Sequence, residues 1–287
     1  MSLPAIADTI IAAHSAMPAQ MRKAARFVID HPNDVALLSM REQARRAGVQ
    51  PATMTRLAQY LGLAGFDALR AAYAGALRGT QAGFAGRAAA QLQAQDLRGA
   101  EALADEFLCR AGEHIAALRD PGTLQRIVAL ATRLAEARRV YCLGLRSSHA
   151  AAWHLHYSLS LIADRTVLLD GAGGAGFDPL SRATRDDVLL VVGVQPYTRS
   201  VVEATVLAAE SGVPVAAITD SPVSPLAERA ECSVIVGTQS PSYLHSMAAA
   251  FVLAELLAAQ VAGQGGAGTQ EALADFDRQL AALNTHL

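Results

Sequence analysis

Residues 140–163 read VYCLGLRSSHAAAWHLHYSLSLIA, and this stretch decides the fold of the larger part of the chain. Its first residues, Val140 to Leu145, form an apolar run typical of a buried strand. A sharp turn follows, and a helical pattern then continues to about Ala163. A polar loop that leads from a strand into a helix leaves backbone N–H groups free at the positive end of the helix dipole, which favours an anion such as phosphate. Ser147 and Ser148 stand where the helix starts, so this stretch alone favours an ordinary helix cap at Ser147 or Ser148.

Apolar runs and helical patterns alternate through the rest of residues 122–263. This alternation predicts an α/β domain with a doubly wound parallel sheet, in which ligands bind at the carboxyl ends of strands. The expected further strands are Thr166–Leu169, Val188–Val194, Val213–Ile218 and Ser233–Val236, and the expected later helices are Tyr197–Ser211 and Ser242–Ala262.

Polar residues gather at the predicted carboxyl ends of these strands. One group follows the first strand, a second follows Val188–Val194, and a third, Thr219–Pro222, follows the next strand. Two loops with Ser, Thr and Arg at helix N-termini bind an anion better than either alone. The candidate ligand-binding residues are Gly144, Arg146, Ser147, Ser148, His149, Gln195, Tyr197, Thr198, Arg199, Ser200 and, at the expected start of the last long helix, His245.

The amino-terminal part, residues 1–80, differs from this domain in pattern and charge. Its apolar residues recur with helical spacing, for example over Leu3–Ser15 and Pro18–Asp30. No segment alternates apolar and polar residues as a strand does. The whole chain of 287 residues has a net charge of −2, but residues 1–80 hold nine basic and five acidic residues. A basic head on an acidic body is a mild indication of nucleic-acid binding.

Residues 39–61 have the pattern of a helix-turn-helix. Ser39 begins a helix with a capping box to Glu42, Gly48 ends it, and a second helix runs from Pro51 to Leu61. The second helix would bury Met54, Leu57, Ala58 and Leu61, and its polar face could enter a DNA major groove. The candidate DNA-binding residues are Lys23, Ser39, Arg41, Gln50, Ala52, Thr53, Thr55, Arg56 and Gln59, and further phosphate contacts could come from Arg26, Arg45 and Arg46.

The segment SMREQARRAGVQPATMTRLAQYLGLAGF resembles the helix-turn-helix of the RpiR/MurR family of bacterial transcription regulators. The later loops resemble those of the SIS (sugar isomerase) domain, which binds phosphosugars and follows this head in that family. The resemblance implies a regulator that binds operator DNA and senses a phosphosugar or a similar anionic metabolite. Three departures stand out: Gln50 replaces a usual capping Ser, Arg146 replaces a usual Gly, and Gln195-Pro196 opens the second loop.

The sequence gives less support to a dinucleotide site, a metal site or an enzymatic function. Gly171–Gly176 matches GxGxxG, but Asp178-Pro179 interrupts the helix that a dinucleotide site needs. The α/β part has no lysine, which excludes Schiff-base chemistry, and no metal-ligand spacing or cofactor motif stands out. A sugar-phosphate isomerase with an appended helical domain is the alternative, with Glu203 and His245 as its acid–base pair. A third alternative is a binding module without DNA activity.

The remaining expectations concern organisation. Residues 81–121 are expected to be a linker and a connecting helix, and residues 264–287 a helical tail. The apolar stretch Met247–Ala262 is short for a membrane span, so we expect a cytoplasmic protein without membrane contact. A homodimer or homotetramer is expected because operators are usually palindromic. The helix Ser242–Ala262 fits a dimer interface or plain core.

Overall fold

The computed structural model describes residues 6, 9–10, 13, 16–81 and 83–285. The chain divides into two compact units, residues 1–94 and residues 95–287. The helix expected over 3–15 lies largely outside the described residues.

The first unit is a bundle of helices around one hydrophobic core. Its core is built from the apolar faces that the helical spacing predicted, including Phe27, Val28, Met54, Leu57 and Leu69. Helix α6 carries the chain from the first unit to the second. The helices are α1 (Ala19–Asp30), α2 (Pro32–Leu37), α3 (Met40–Ala47), α4 (Pro51–Tyr60), α5 (Phe66–Gln81) and α6 (Phe84–Arg98).

The turn between α3 and α4 follows the predicted chemistry. Gly48 ends α3 in the left-handed conformation with φ of 64°, which a glycine adopts without steric cost. Its N–H donates to Arg45 O, and Val49 N–H donates to Ala44 O, as in a Schellman motif. The chain therefore reverses sharply, and Pro51 starts α4 where its missing N–H costs nothing.

The second unit is a parallel sheet covered by helices on both faces. The described strands lie in the order β2-β1-β3-β4-β5, and every pair is parallel. The elements in chain order are α7 (Ala100–Ala117), α8 (Pro121–Glu136), β1 (Val140–Leu143), α9 (His149–Ser160), β2 (Thr166–Leu169), β3 (Val188–Gly193), α10 (Arg199–Glu210), β4 (Val215–Thr219), β5 (Cys232–Ile235) and α11 (Ala248–Ala282).

Alternate residues of the central strands enter the two halves of the core. Cys142 and Leu190 point into the layer formed by α8, α9 and α11. Tyr141 and Leu189 point into the layer that contains α10. Because both faces are covered, β3 is buried over its whole length, which explains why its sequence is an uninterrupted apolar run.

Two helices differ from the sequence expectation. The last long helix begins at Ala248 rather than Ser242, because the Ser- and Pro-containing residues before it form a loop. It continues through the expected tail to Ala282, with a non-helical residue at Gly266. The connection after residue 81 is the helix α6, which contains no buried residue.

Helix α11 is long and apolar enough to span a membrane by length and composition alone. Its amino-terminal half, however, buries Leu253, Leu257 and Val261 in the core of the second unit. This packing is that of a core helix in a folded domain.

Candidate DNA-binding surface and ligand-binding site

The strand order creates a crevice at the carboxyl ends of β1 and β3. The chain runs from β1 to β2 on one side and then crosses to β3 on the other side of β1. In sheets of this kind, ligands bind where the order reverses. The two loops singled out from the sequence, 144–149 and 195–200, leave β1 and β3 at this point and lead into α9 and α10.

The loop after β1 is held in an unusual conformation. Arg146 has φ of 54°, in the left-handed region that costs a non-glycine residue energy. Gly144 cannot carry a side chain, because a Cβ there would lie 2.7 Å from Ser148 O and 2.8 Å from Ala152 Cβ. His149 Nδ1 donates to Gly144 O over 3.3 Å. The loop is therefore packed tightly against the first turn of α9.

Ser147 contacts a residue that is distant in sequence. A hydrogen bond of 2.7 Å joins Ser147 Oγ and His245 Nε2. His245 was predicted to begin the last helix, but the structure places it in the loop between β5 and α11. That loop is closed by Ser246 N–H, which donates to Thr238 O over 2.9 Å. His245 was predicted to reach the pocket from the start of the last helix, whereas it lies in the preceding loop and bonds from there to the loop after β1.

The loop after β3 is fastened to the end of β4. Asp220 accepts hydrogen bonds from Gln195 N–H at 3.1 Å and from Tyr197 Oη–H at 2.7 Å. Burial and the adjacent Asp220 carboxylate raise the pKa of Tyr197, so its hydroxyl stays protonated and can donate. Gln195 and Tyr197 thus have a role in shaping the loop that leads to Thr198.

Neither helix start is capped by its own side chain. Ser148 precedes α9 and Thr198 precedes α10, and neither side chain bonds to its own helix. The simple capping role therefore does not account for these residues. Two helix N-termini flank the crevice, with exposed Arg146 and Arg199 beside them. Backbone N–H groups, hydroxyls and arginines are the donors that anions prefer.

Ser200 and Glu203 lie on a different surface. They line an open groove of about 580 Å³ between α10 and the residues around Phe177 and Leu180. His245 instead bonds to the loop after β1. Among the described residues, no hydrogen bond or ion pair joins Glu203 to His245, the pair on which the isomerase alternative depends.

The glycine-rich segment 171–176 forms a short 3₁₀ turn, Ala172–Gly174, followed by a second one, Asp178–Arg182. A dinucleotide motif requires an α-helix immediately after the glycines. The segment therefore lacks the structure of that motif.

In the first unit, α4 presents a mostly polar outer face. Met54, Leu57 and Ala58 are fully buried, as the spacing predicted. Ala52, Arg56 and Gln59 are exposed, and Thr53 is half-buried. Thr55 was expected on the outer face, but it is half-buried and its hydroxyl lies 3.3 Å from Met40 Sδ. Thr55 therefore faces α3, and its hydroxyl is already engaged.

The cap of α3 is weaker than the predicted capping box, and α4 has no side-chain cap, in line with the replacement of the usual Ser by Gln50. Ser39 Oγ accepts from Glu42 N–H over 3.4 Å, but the Glu42 carboxylate binds arginines instead of completing a capping box. Hydrogen bonds from Arg45 and Arg46 lower the pKa of Glu42 to about 2. Gln50 precedes α4 without capping it, and its exposed amide is available for other contacts.

The predicted phosphate contacts divide into two groups. Arg45 and Arg46 are bound by Glu42, and Arg46 also donates to Asp34 over 2.8 Å. Lys23 and Arg41 are exposed and remain candidates for phosphates. Arg46 thus links α3 to α2, and the arginines of α3 also contribute to the positive charge of the first unit.

Sequence reasoning missed residues whose roles depend on distant neighbours. Gln43 is fully buried, and its Nε2 donates to Val35 O at 2.8 Å and to Leu38 O at 2.9 Å, joining α2 to α3. A Cβ on Gly237 would lie 2.3 Å from His114 Cδ2, so α7 packs directly on the loop that carries His245. The only signal for Gln43 in the sequence is its position on the apolar face of α3, where a polar residue is unusual.

Comparison with known proteins finds a matching protein family for each of the two units. Residues 5–79 match the helix-turn-helix domain of the rpiR family, and residues 133–260 match the SIS domain. The two units define a helix-turn-helix transcription regulator with a sugar-isomerase-type domain. The chain belongs to the RpiR family of regulators.

Individual relatives share this organisation. The uncharacterized HTH-type transcriptional regulator YbbH of Bacillus subtilis is 25% identical over 262 residues, covering 88% of this chain and 87% of the relative. The sugar isomerase domain of an RpiR transcription factor from Sphaerobacter thermophilus is 27% identical, with a TM-score of 0.57 over 61% of this chain and 98% of that one. The Vibrio vulnificus NanR protein, solved with ManNAc-6P, is 18% identical and has a TM-score of 0.56 over 97% of this chain and 99% of that one, which shows a common fold.

Proposed function

We propose that this transcription regulator senses a sugar phosphate, or a similar anionic metabolite, in the crevice between the loops after β1 and β3. The carrying observation is the pair of uncapped helix starts at Ser148 and Thr198, placed where the strand order reverses. The anionic group would bind the N–H groups and hydroxyls of these loops, and Arg146 and Arg199 would complement its charge. The solved relative with bound ManNAc-6P supports this class of effector.

The head would bind operator DNA through α4. Arg56, Gln59 and Gln50 would reach base edges in the major groove, while Lys23 and Arg41 would contact phosphates. A homodimer or homotetramer would present two heads to a palindromic site, because one head offers little contact area. The protein would have no catalytic role, and it would act in the cytoplasm, where the DNA is.

Effector binding would reach the DNA through the loop between β5 and α11. This loop holds His245 on Ser147 at one end and packs Gly237 on His114 of α7 at the other. An anion that binds Ser147 competes for its hydrogen bond to His245 and so shifts the loop. Helix α7 follows the head in chain order, so its displacement offers a two-state route from effector to DNA.

Binding of the full chain to the DNA upstream of its own gene tests this function. Fluorescence anisotropy over a salt series would measure affinity with and without a panel of sugar phosphates. We expect saturable binding that at least one sugar phosphate changes. Arg56→Ala should lose about 10- to 100-fold in operator affinity and keep effector binding, because a base contact contributes about 1–3 kcal/mol. Arg110→Ala, an exposed arginine of α7, is the matched control.

Ser147→Ala tests the effector site separately. It should weaken sugar-phosphate binding by about 10-fold or more, since a hydrogen bond to a charged group contributes about 1.5–3 kcal/mol. Because it also removes the hydrogen bond to His245, it should shift the operator affinity without effector towards that of the effector-bound wild type. Specific DNA binding that no sugar phosphate alters would reject this effector class. Absence of specific DNA binding, together with turnover of a sugar phosphate, would instead favour the isomerase alternative.

A further inference from the structure

The groove beside α10 exists because that helix carries small side chains on one face. Ala204 and Ala208 are buried there, in the same core layer as Leu180, which lines the other side of the groove. Two alanines leave a trough where larger residues would have filled the space. The groove, about 580 Å³ in volume, is lined from Ser200 to Ser211 along α10 and has the size of a small-molecule site.

The walls of this groove carry large apolar side chains that remain in contact with solvent. Leu207 on α10 is 60% exposed, and the half-buried Phe177 lines the opposite wall. Apolar surface loses the free energy that removal from water would give as long as nothing covers it. A ligand with an apolar body would therefore gain affinity by covering these walls.

Two carboxylates line the same groove. Glu203 belongs to α10, and Asp178 begins the 3₁₀ turn on the opposite side. In the part of the chain that the structure describes, neither carboxylate takes part in a hydrogen bond or an ion pair. The arginines nearest to them in sequence, Arg182 and Arg199, do not line the groove. The groove thus holds two negative charges and no positive charge among its lining residues.

The aromatic ring in the wall favours the same sign of ligand charge. The face of an aromatic ring carries partial negative charge and attracts an ammonium group, so Phe177 adds to the attraction of the two carboxylates. An anionic ligand would meet only repulsion from the charged groups of this groove. The ligand preference of the groove is therefore opposite to that of the crevice, where Arg146 and Arg199 are exposed.

We propose that the groove beside α10 is a second binding site, which takes a small organic cation with an apolar body, such as an alkylammonium compound. The apolar body covers Leu207 and the alanines of α10, and the ammonium group lies near Asp178, Glu203 and Phe177. Binding here uses none of the loop that carries Ser147. The site therefore goes beyond the proposed function and does not depend on it.

Titration of the full chain with three matched probes, followed by saturation-transfer NMR, tests the proposal. Hexyltrimethylammonium is the cation, heptan-1-ol is a neutral compound of similar length, and hexanoate is the anion. We expect the cation to bind about fivefold or more tightly than heptan-1-ol, and hexanoate to bind least, because only the cation is attracted by the carboxylates and the ring. Added salt should reduce this difference, since the carboxylates are exposed.

Substitutions locate the binding within the chain. Glu203→Gln should weaken binding of hexyltrimethylammonium about threefold to fivefold, as the loss of one exposed charge pair does, and leave heptan-1-ol binding unchanged. Phe177→Leu keeps an apolar wall and should lower the preference for the cation in the same way. Glu210→Gln, exposed on α10 but outside the groove, is the matched control. Asp178→Asn serves if Phe177→Leu does not fold by circular dichroism.

Two results would overturn the proposal. The first is that hexyltrimethylammonium does not bind, or binds no more tightly than heptan-1-ol; if Leu207→Ser then changes the sedimentation coefficient of the chain, the groove belongs to a second copy. The second is that Glu203→Gln and Glu210→Gln have the same affinity for the cation, which would place the binding elsewhere. The experiment needs neither operator DNA nor a sugar phosphate, so the proposed function can fail without affecting it.

Discussion

The contact between Gly237 and His114 offers a measurable test of how the effector loop is held. A Cβ on Gly237 would lie 2.3 Å from His114 Cδ2 and 2.7 Å from His114 Cγ, well inside van der Waals contact. Gly237→Ala therefore forces the loop and α7 apart, and overpacking of this kind costs about 1–3 kcal/mol. Urea unfolding followed by circular dichroism would measure the loss.

A double-mutant cycle identifies the cause of that loss. His114→Ala alone removes a half-buried ring and should cost about 1 kcal/mol. The added methyl group has room once the ring is gone, so the double variant should be about as stable as His114→Ala. The coupling free energy would then be about 1–3 kcal/mol, the range for residues in direct contact.

Gly112→Ala is the matched control, since Gly112 lies in the same helix and a Cβ there meets nothing within 4 Å. This substitution should be neutral or stabilise the protein by about 0.5–1 kcal/mol, because alanine favours a helix more than glycine does. The reasoning would be refuted if Gly237→Ala matched Gly112→Ala in stability. It would also be refuted if removing His114 left the cost of the methyl group unchanged.

Three further predictions address other residues. Arg146→Gly should stabilise the protein by about 1 kcal/mol in thermal unfolding, because it relieves a left-handed backbone. Isothermal titration calorimetry should show weaker binding of a phosphate ester to this variant. Unchanged stability would contradict the prediction. Gln43→Leu should cost about 2–4 kcal/mol in urea unfolding, because two carbonyl groups lose their donor, whereas the exposed Gln93→Leu should cost nothing. Hydrogen bonds from Arg138 and Thr184 outweigh burial and hold the pKa of Asp187 below its ordinary value. The ionised Asp187 carboxylate thus stabilises the fold above the unfolded pKa of about 3.9, and this stabilisation is lost as pH falls through the lower folded pKa. The loss of unfolding free energy caused by Asp187→Asn should therefore shrink between about pH 5 and pH 2. A loss that stays constant over this range would refute the prediction.

Local patterns explain why much of the fold could be predicted. The uninterrupted apolar run of β3 indicates a strand buried on both faces, and the spacing of Met54, Leu57 and Ala58 indicates one face of α4. Both signals depend only on neighbours within a few residues. The start of α11 was placed too early because the apolar and serine residues before Ala248 are compatible with a helix, and contacts with other elements decide otherwise.

The geometry of the site depends on contacts that sequence spacing does not encode. The sequence places Asp220 only in a loop, yet its carboxylate fastens Gln195 and Tyr197 across two strands. The pairing of Ser147 with His245 joins residues 98 positions apart. Parallel strands bring such loops to one edge, so their neighbourhood could be predicted, but the individual partners could not.

The break in α11 has a practical consequence for work with this protein. The buried residues of α11 end at Val261, and Gly266 interrupts the helix with φ of 53° and ψ of −127°. The core of the second unit is therefore complete before the interruption, and the last helical turns form an appendage with mostly exposed residues. A fluorescent protein or an affinity handle attached to these last turns leaves the core of the second unit intact, which makes this segment a fusion site for imaging and purification.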